Sequence, residues 1–211
     1  IIDRRQIADP GWGIKLTGKI GRNSIGLLSA SDNAAGLRLS PTDPNFGKNA
    51  QFNIARFSRD VLKNSTVGFS LTDRRFSGNS NTVATADSRI QLDEHNLLAI
   101  QASYSRTRDA NGNSRDGHAI YGAYNFDNRN WEIGLSLSTI SDDFAAQSGF
   151  IRRTGIRRAY SYNYRVFRPK EKSWWTRFRA FVVTTGTLDR QNNLDEAFFD
   201  PGLAIDFSNG V

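Results

Sequence analysis

Three places in the chain bring carboxylates or a histidine close enough to suggest chemistry. Asp93-Glu94-His95 sets an acid beside an imidazole, the pairing that a general acid–base relay needs. Asp142-Asp143 offers two adjacent carboxylates, and Asp195-Glu196 with Asp200 supplies oxygen ligands that could hold a cation. All three also fit ordinary water-facing turns and ends, where charged residues are the default. Only two histidines occur, His95 and His118, and there is no cysteine. Disulfides, Cys-ligated zinc, iron–sulfur clusters, thiol catalysis and multi-histidine metal sites are therefore excluded. His118 alternates with Ile120 on an aromatic face and reads as a rim residue. No Gly-x-Ser-x-Gly elbow is present. Gly11, Gly13, Gly18 and Gly21 fall on a strand pattern rather than in a phosphate-binding loop. Asn64-Ser65-Thr66 matches a glycosylation sequon. The reading is of no catalytic residue, no cofactor and no bound metal.

Basic residues say more. Lys15, Lys19, Arg89, Arg157, Arg165, Arg177 and Arg179 fall on the polar side of alternating segments, against Asp87 and Glu132, giving 7 − 2 = +5. Arg152-Arg153 and Arg157-Arg158 add a cluster where a loop enters its strand. Walls of that sign would favour an anionic solute, a plug, or lipopolysaccharide phosphates near an outer rim. Equally, such arginines would pair only with acidic residues contributed by strands missing from this chain. Nucleic acid is not the expected partner, although the pI is about 10.0. The cations are spread over many strands without a recognisable module.

The elements that must position these residues are strands. Apolar residues recur at every second position almost throughout, and period 3.6 is nearly absent. Trp131, Ile133, Leu135 and Leu137 alternate with Glu132, Gly134, Ser136 and Ser138. Val67, Phe69 and Leu71 alternate with Gly68, Ser70 and Thr72. On the same rule Ile156, Tyr160, Tyr162, Tyr164 and Val166 form one face, and Arg157, Ser161, Asn163 and Arg165 the other. Ten such segments are expected, with an eleventh at 203–207. The fold class is all-β, an antiparallel up-and-down meander of about 10–11 strands.

Composition sharpens this. In 211 residues there are 28 Lys+Arg and 21 Asp+Glu, so the net charge is 28 − 21 = +7, and hydrophobic residues make up 38%. No run approaches the roughly 20 apolar residues of a membrane-spanning helix. Strands that alternate can span a bilayer while the sequence stays polar on average. Short polar turns are expected at 21–23, 60–64, 93–96, 127–130 and 169–173. Longer loops are expected at 32–48, 73–82, 108–116, 141–150 and 186–195. Strict alternation of short and long connections gives a meander one trimmed end and one elaborated end, as in outer-membrane barrels. Trp131 and Trp174 begin strands after short turns, while Phe57, Phe126, Tyr164 and Phe167 lie just before them. Those positions predict an aromatic rim at a lipid–water interface. The absence of Met, the start at Ile1 and the lack of a terminal aromatic strand lead us to expect a piece of a larger barrel. Residues 1–211 read as one barrel segment, to be completed by the remaining strands or an upstream domain of the parent chain.

Particular stretches carry a resemblance. They are 16–21 with 25–30, the run 59–69 (Arg-Asp-Val-Leu-Lys-Asn-Ser-Thr-Val-Gly-Phe), 101–107 and 149–153. Together they resemble an uncharacterised bacterial outer-membrane β-barrel family whose barrel often follows a family-nine-type carbohydrate-binding module. The likeness covers most of 10–185. It implies a barrel in the outer membrane, surrounded by lipid, that spans the membrane and passes or exports a solute or anchors an upstream module. The family supplies no catalytic residue to carry over. A different expectation is a soluble β-sandwich, or a sheet of a carbohydrate-binding or carbohydrate-active protein. A third is a barrel subunit that works only in a larger assembly.

Overall fold

Eleven antiparallel strands form one sheet in the computed structural model, which describes residues 7–149 and 151–208. They are β1 (Pro10–Ile20), β2 (Asn23–Asp32), β3 (Ala50–Val61), β4 (Ser65–Phe76), β5 (Asn79–Gln91) and β6 (Asn96–Arg108). Then follow β7 (Ser114–Asp127), β8 (Trp131–Ile140), β9 (Ile156–Phe167), β10 (Trp175–Leu188) and β11 (Leu194–Phe207). A short helix, α1 (Ala34–Leu37), lies between β2 and β3. Spatial order follows chain order, so the meander is up-and-down. Its edges are β1 and β11; no pairing joins them among the described residues, and the sheet does not close. The expected eleventh strand at 203–207 is real but longer, beginning at Leu194. The expectations at residues 1–6, Phe150 and 209–211 lie outside the described residues.

Local chemistry explains the hairpins. Gly21 takes φ of 58° in the two-residue β1–β2 turn, and Ser77-Gly78 takes 49° and 80° between β4 and β5. Positive φ in such turns gives a twist that matches the strands they join. In the β6–β7 connection the Asp109 carboxylate accepts from Asn113 N–H (2.9 Å) and Asn113 Nδ2 (2.9 Å). Asp189 repeats this with Asn193 between β10 and β11, at 2.8 and 2.9 Å. The strand bounds correct the expected strict alternation of short and long connections. The expected loops at 73–82, 108–116 and 186–195 shrink to 77–78, 109–113 and 189–193, because a polar strand end looks like a loop in sequence. Only 33–49 and 141–155 are long.

The chain divides into two compact units. One comprises the residues up to Ser88 with 101–120 and 140–155; the other comprises 89–100, 121–139 and 156 onward. In the first unit, rows across β1–β4 read Leu16-Leu27-Ala55-Leu71 and Gly18-Ile25-Phe57-Phe69 on one face. The opposite face reads Thr17-Gly26-Arg56-Ser70 and Lys19-Ser24-Ser58-Gly68. In the second unit Phe167-Phe178-Ile205 and Asn163-Val182-Pro201 oppose Tyr162-Val183-Asp200 and Tyr160-Thr185-Phe198.

One face of the sheet exposes large apolar side chains, while the opposite face buries polar groups beside Phe52, Val83 and Val166. Phe69, Leu137 and Ile120 are 50, 55 and 49% exposed although they lie on interior strands. Meanwhile Asn81, Ser105 and Ser65 are at most 2% exposed. A Leu- or Phe-sized side chain left in water forgoes about 1.5–3 kcal/mol of burial. Among the described residues no helix is long and apolar enough to cross a membrane.

Candidate functional site

The polar face is the candidate site, because its side chains are the ones the fold gathers and pairs. In the first unit the Arg56 guanidinium donates from both terminal nitrogens to Asp87, at 2.6 and 2.8 Å. Gly68 makes this pair fit: a Cβ there would stand 2.7 Å from Arg56 Nη2 and 3.0 Å from Asp87 Oδ2. Lys19 donates to Asp60 at 2.6 Å on the same face of β3 as Arg56. Two-point Arg–carboxylate contact fixes both planes as well as the charge.

At the other end of this face the 141–155 connection turns back over the sheet. Asn81 Nδ2 donates to Thr107 Oγ1 (2.8 Å) and to the Ala145 carbonyl (3.0 Å). Its Oδ1 accepts from the Gln147 N–H at 2.8 Å. Ser105 Oγ accepts from Ala145 N–H (3.1 Å), and Arg74 Nη1 donates to Gln147 Oε1 (3.0 Å). Gly117 has no Cβ, and one placed there would collide with the backbone of Asp143 and Phe144. Phe144 and Ala146 are buried, as are Phe52, Val83 and Ala119 on the sheet face. Arg74 lies over the Phe52 and Phe76 rings at 5.6 and 5.7 Å, which places its cation against a π face.

The second unit fills its polar face with rings. Tyr160, Tyr162 and Tyr164 follow one another along β9 with centroids 6.2 and 5.7 Å apart, and Tyr164 stacks on Phe181 at 5.0 Å. Tyr162 lies over Gly134 and Phe181 over Gly202, where a Cβ would strike the ring. The Tyr162 hydroxyl donates to Asn125 Oδ1 at 3.2 Å. Beside the rings Asp206 accepts from both Arg177 and Arg179, and Glu132 stands 4.0 Å from Arg177.

The expected cationic residues therefore do not share one face. Lys15 and Lys19 lie on the polar side of β1, and Arg89 shares the alternation of Asp87 on β5. Arg177 and Arg179 are on the polar side but are paired with Asp206. Arg157 and Arg165 are on the other side, in rows with Leu188-Leu194 and Ala180-Leu203. Arg165 lies over Trp131 (4.6 Å) and Phe167 (5.4 Å), so its charge is held by rings at the apolar face. The split of β9 into two faces was legible, but the side each face takes was not. Register with β10 puts the tyrosines beside Arg179 and leaves Arg165 outside. For the same reason Tyr164 leaves the expected rim, where Trp131, Trp174, Phe57 and Phe167 are exposed.

The acid and imidazole at 93–95 do not pair with each other as a relay would need. Asp93 accepts from the backbone of His95 (2.8 Å) and Asn96 (2.9 Å) and so caps its own turn. The His95 ring nitrogen Nδ1 instead meets the Asp127 carbonyl at 2.8 Å. These bonds, led by the His95 N–H, hold the Asp93 carboxyl below the usual carboxylate range. Among the described residues no three acidic or histidine side chains converge on a metal-sized site. Asp195, Glu196 and Asp200 lie along β11. Compared with protein-family models, with curated proteins and with solved structures, the chain matches none. Arg56, Arg74, Asn81, Tyr162 and Asp206 are the site residues that alternation alone missed. Glycine on a polar face (Gly68, Gly117, Gly134, Gly202) was the available signal, since glycine weakens a strand unless something must approach.

Proposed function

We propose that the chain is a segment of a transmembrane β-barrel of the bacterial outer membrane. Its apolar face meets lipid and its polar face an aqueous interior. The observation that carries this reading is the face of large apolar side chains exposed on interior strands, with Asn81, Ser105 and Thr85 buried on the opposite face beside Phe52 and Val83. Water penalises that arrangement, whereas hydrocarbon favours it. Strands of 10 to 14 residues suit a tilted span, which needs about 9–11. Arg165 over Trp131, next to the short β7–β8 turn, fits an interfacial aromatic and its snorkelling cation. A soluble sandwich would bury its apolar faces between two sheets, and one sheet of eleven strands does not supply the second.

The role is to span the membrane and to pass or export a solute, or to anchor an upstream module. The family resemblance, with its carbohydrate-binding module, belongs to this same proposal. Further strands of the parent chain are the partners that would complete the edges at β1 and β11. Anionic solute or lipopolysaccharide would meet the cations of the polar face, such as Lys15 and Arg89. The test is heat-modifiability of the full-length protein in isolated outer membranes. A mobility difference between boiled and unboiled samples, with retention in salt-washed membranes, is expected. Release into the soluble fraction without a shift would sink the reading.

A further inference from the structure

Four neighbouring strands each give one group to the same loop. Arg74 comes from β4, Asn81 from β5, Ser105 from β6 and Gly117 from β7. All four lie on the polar face, opposite exposed residues such as Leu71, Tyr104 and Ile120. Asn81 is 0% exposed, and its carboxamide treats the loop as a neighbouring strand would, donating to Ala145 O and accepting from Gln147 N. A buried amide with its partners satisfied on both sides is costly to release, because opening strands them without replacements. The absent Cβ at Gly117 then lets the loop backbone lie directly on the sheet.

We propose that residues 141–149 form a constriction strap across the aqueous interior, latched by Asn81, which limits what passes along the polar face. This rests on the membrane-barrel reading, because only there does the polar face line a path. A loop that merely connected β8 to β9 would stand in water beyond the strand ends, with Phe144 and Ala146 exposed. Instead both are buried while Asp142 and Asp143 remain exposed. The strap is thus an amphipathic insert with its small apolar side seated on the sheet.

Residues 1–211 contain no cysteine, so an introduced one is the single thiol among them, and any cysteine elsewhere in the full-length protein is first replaced by serine. In the full-length protein, Ala146→Cys should react slowly with a membrane-impermeant maleimide. Adding Asn81→Ala should raise that rate about tenfold or more, since losing buried hydrogen bonds shifts opening by at least that factor. In planar bilayers Asn81→Ala should also raise conductance, and a Ser105→Cys/Ala145→Cys cross-link should reverse the increase. Unchanged labelling would overturn the latch. Faster labelling with unchanged conductance would overturn the constriction. Failure of the parent reading looks different: the protein would leave the membrane fraction, while the faster labelling caused by Asn81→Ala persisted in solution.

Discussion

The two units cover their polar faces in different ways. In the first, the protein's own backbone lies on the sheet, admitted by Gly117 and held by Asn81 and Ser105. In the second, aromatic rings do the covering, with Tyr162 over Gly134 and Phe181 over Gly202. A backbone cover brings N–H and C=O groups that must find partners, so it needs buried polar side chains around it. Rings bring no such demand, and the tyrosines need only place a hydroxyl, as Tyr162 does on Asn125. The same sequence signal, a glycine among polar alternation, thus precedes two kinds of packing. The neighbouring buried amide is what separates them.

Glycine substitutions should break the comparison most sharply. Gly117→Ala drives a methyl into the backbone of Asp143 and Phe144, which can yield only by lifting the strap. A loss of about 3 kcal/mol is expected, at the upper end of overpacking costs. Gly134→Ala meets the Tyr162 ring, which can turn away, and about 1 kcal/mol is expected from the same principle. Thermal unfolding of the full-length variants in detergent measures both. Equal losses would mean that the kind of cover makes no difference to the sheet beneath.

Ion pairs give the next contrast. Asp87 holds one arginine through two bonds, whereas Asp206 holds two arginines. Asp87→Asn leaves a single cation and should cost about 0.5 kcal/mol, already discounted for solvent screening. Asp206→Asn removes the acid that Arg177 and Arg179 share and leaves Arg177 the longer 4.0 Å contact with Glu132, so its thermal midpoint should fall further than that of Asp87→Asn. Raising the salt concentration should narrow the difference, because screening weakens the Arg177–Arg179 repulsion. A difference that grows with salt would refute the electrostatic account.

How much of this was legible in the sequence follows from what strand alternation encodes. It separates residues into two sets, and those sets are right even on β9, where Tyr160, Tyr162 and Tyr164 stand apart from Arg157 and Arg165. It does not say which set faces which side, because that depends on register with a neighbour. Loop lengths are hard to read for a related reason. Strand ends rich in Asp, Arg and Asn, such as 73–76 and 106–108, carry turn-like composition but stay paired as strand. The strap could not be found from its own residues either. Ser141 to Gly149 reads as a polar loop. Its seat depends on Gly117 and on Ser105 and Asn81, which lie 40 and 66 positions from the backbone N–H groups they accept from.

The smallest expected effect lies where the two units agree. Asp109 in the first and Asp189 in the second cap equivalent hairpin loops, and in each the side chain of the asparagine four residues on is the leading donor. Those bonds hold both carboxyls below the ordinary aspartate value of about 3.9. A carboxyl depressed in the folded state stabilises its loop fully above the unfolded value, and that contribution is lost as pH falls through the lower, folded value. Both side chains are part-exposed and their bonds stay within their own hairpin loops, so the consequence is local loosening of two hairpins in acid rather than unfolding. Carboxyl carbon NMR titration of the full-length protein should give midpoints below about 3.9 for both residues. Asn113→Ala should raise the Asp109 midpoint and leave Asp189 unmoved, while Asn193→Ala does the reverse. If either substitution moved both midpoints, the two loops would not be independent caps, and the local hydrogen bonds would not be the cause of the low values.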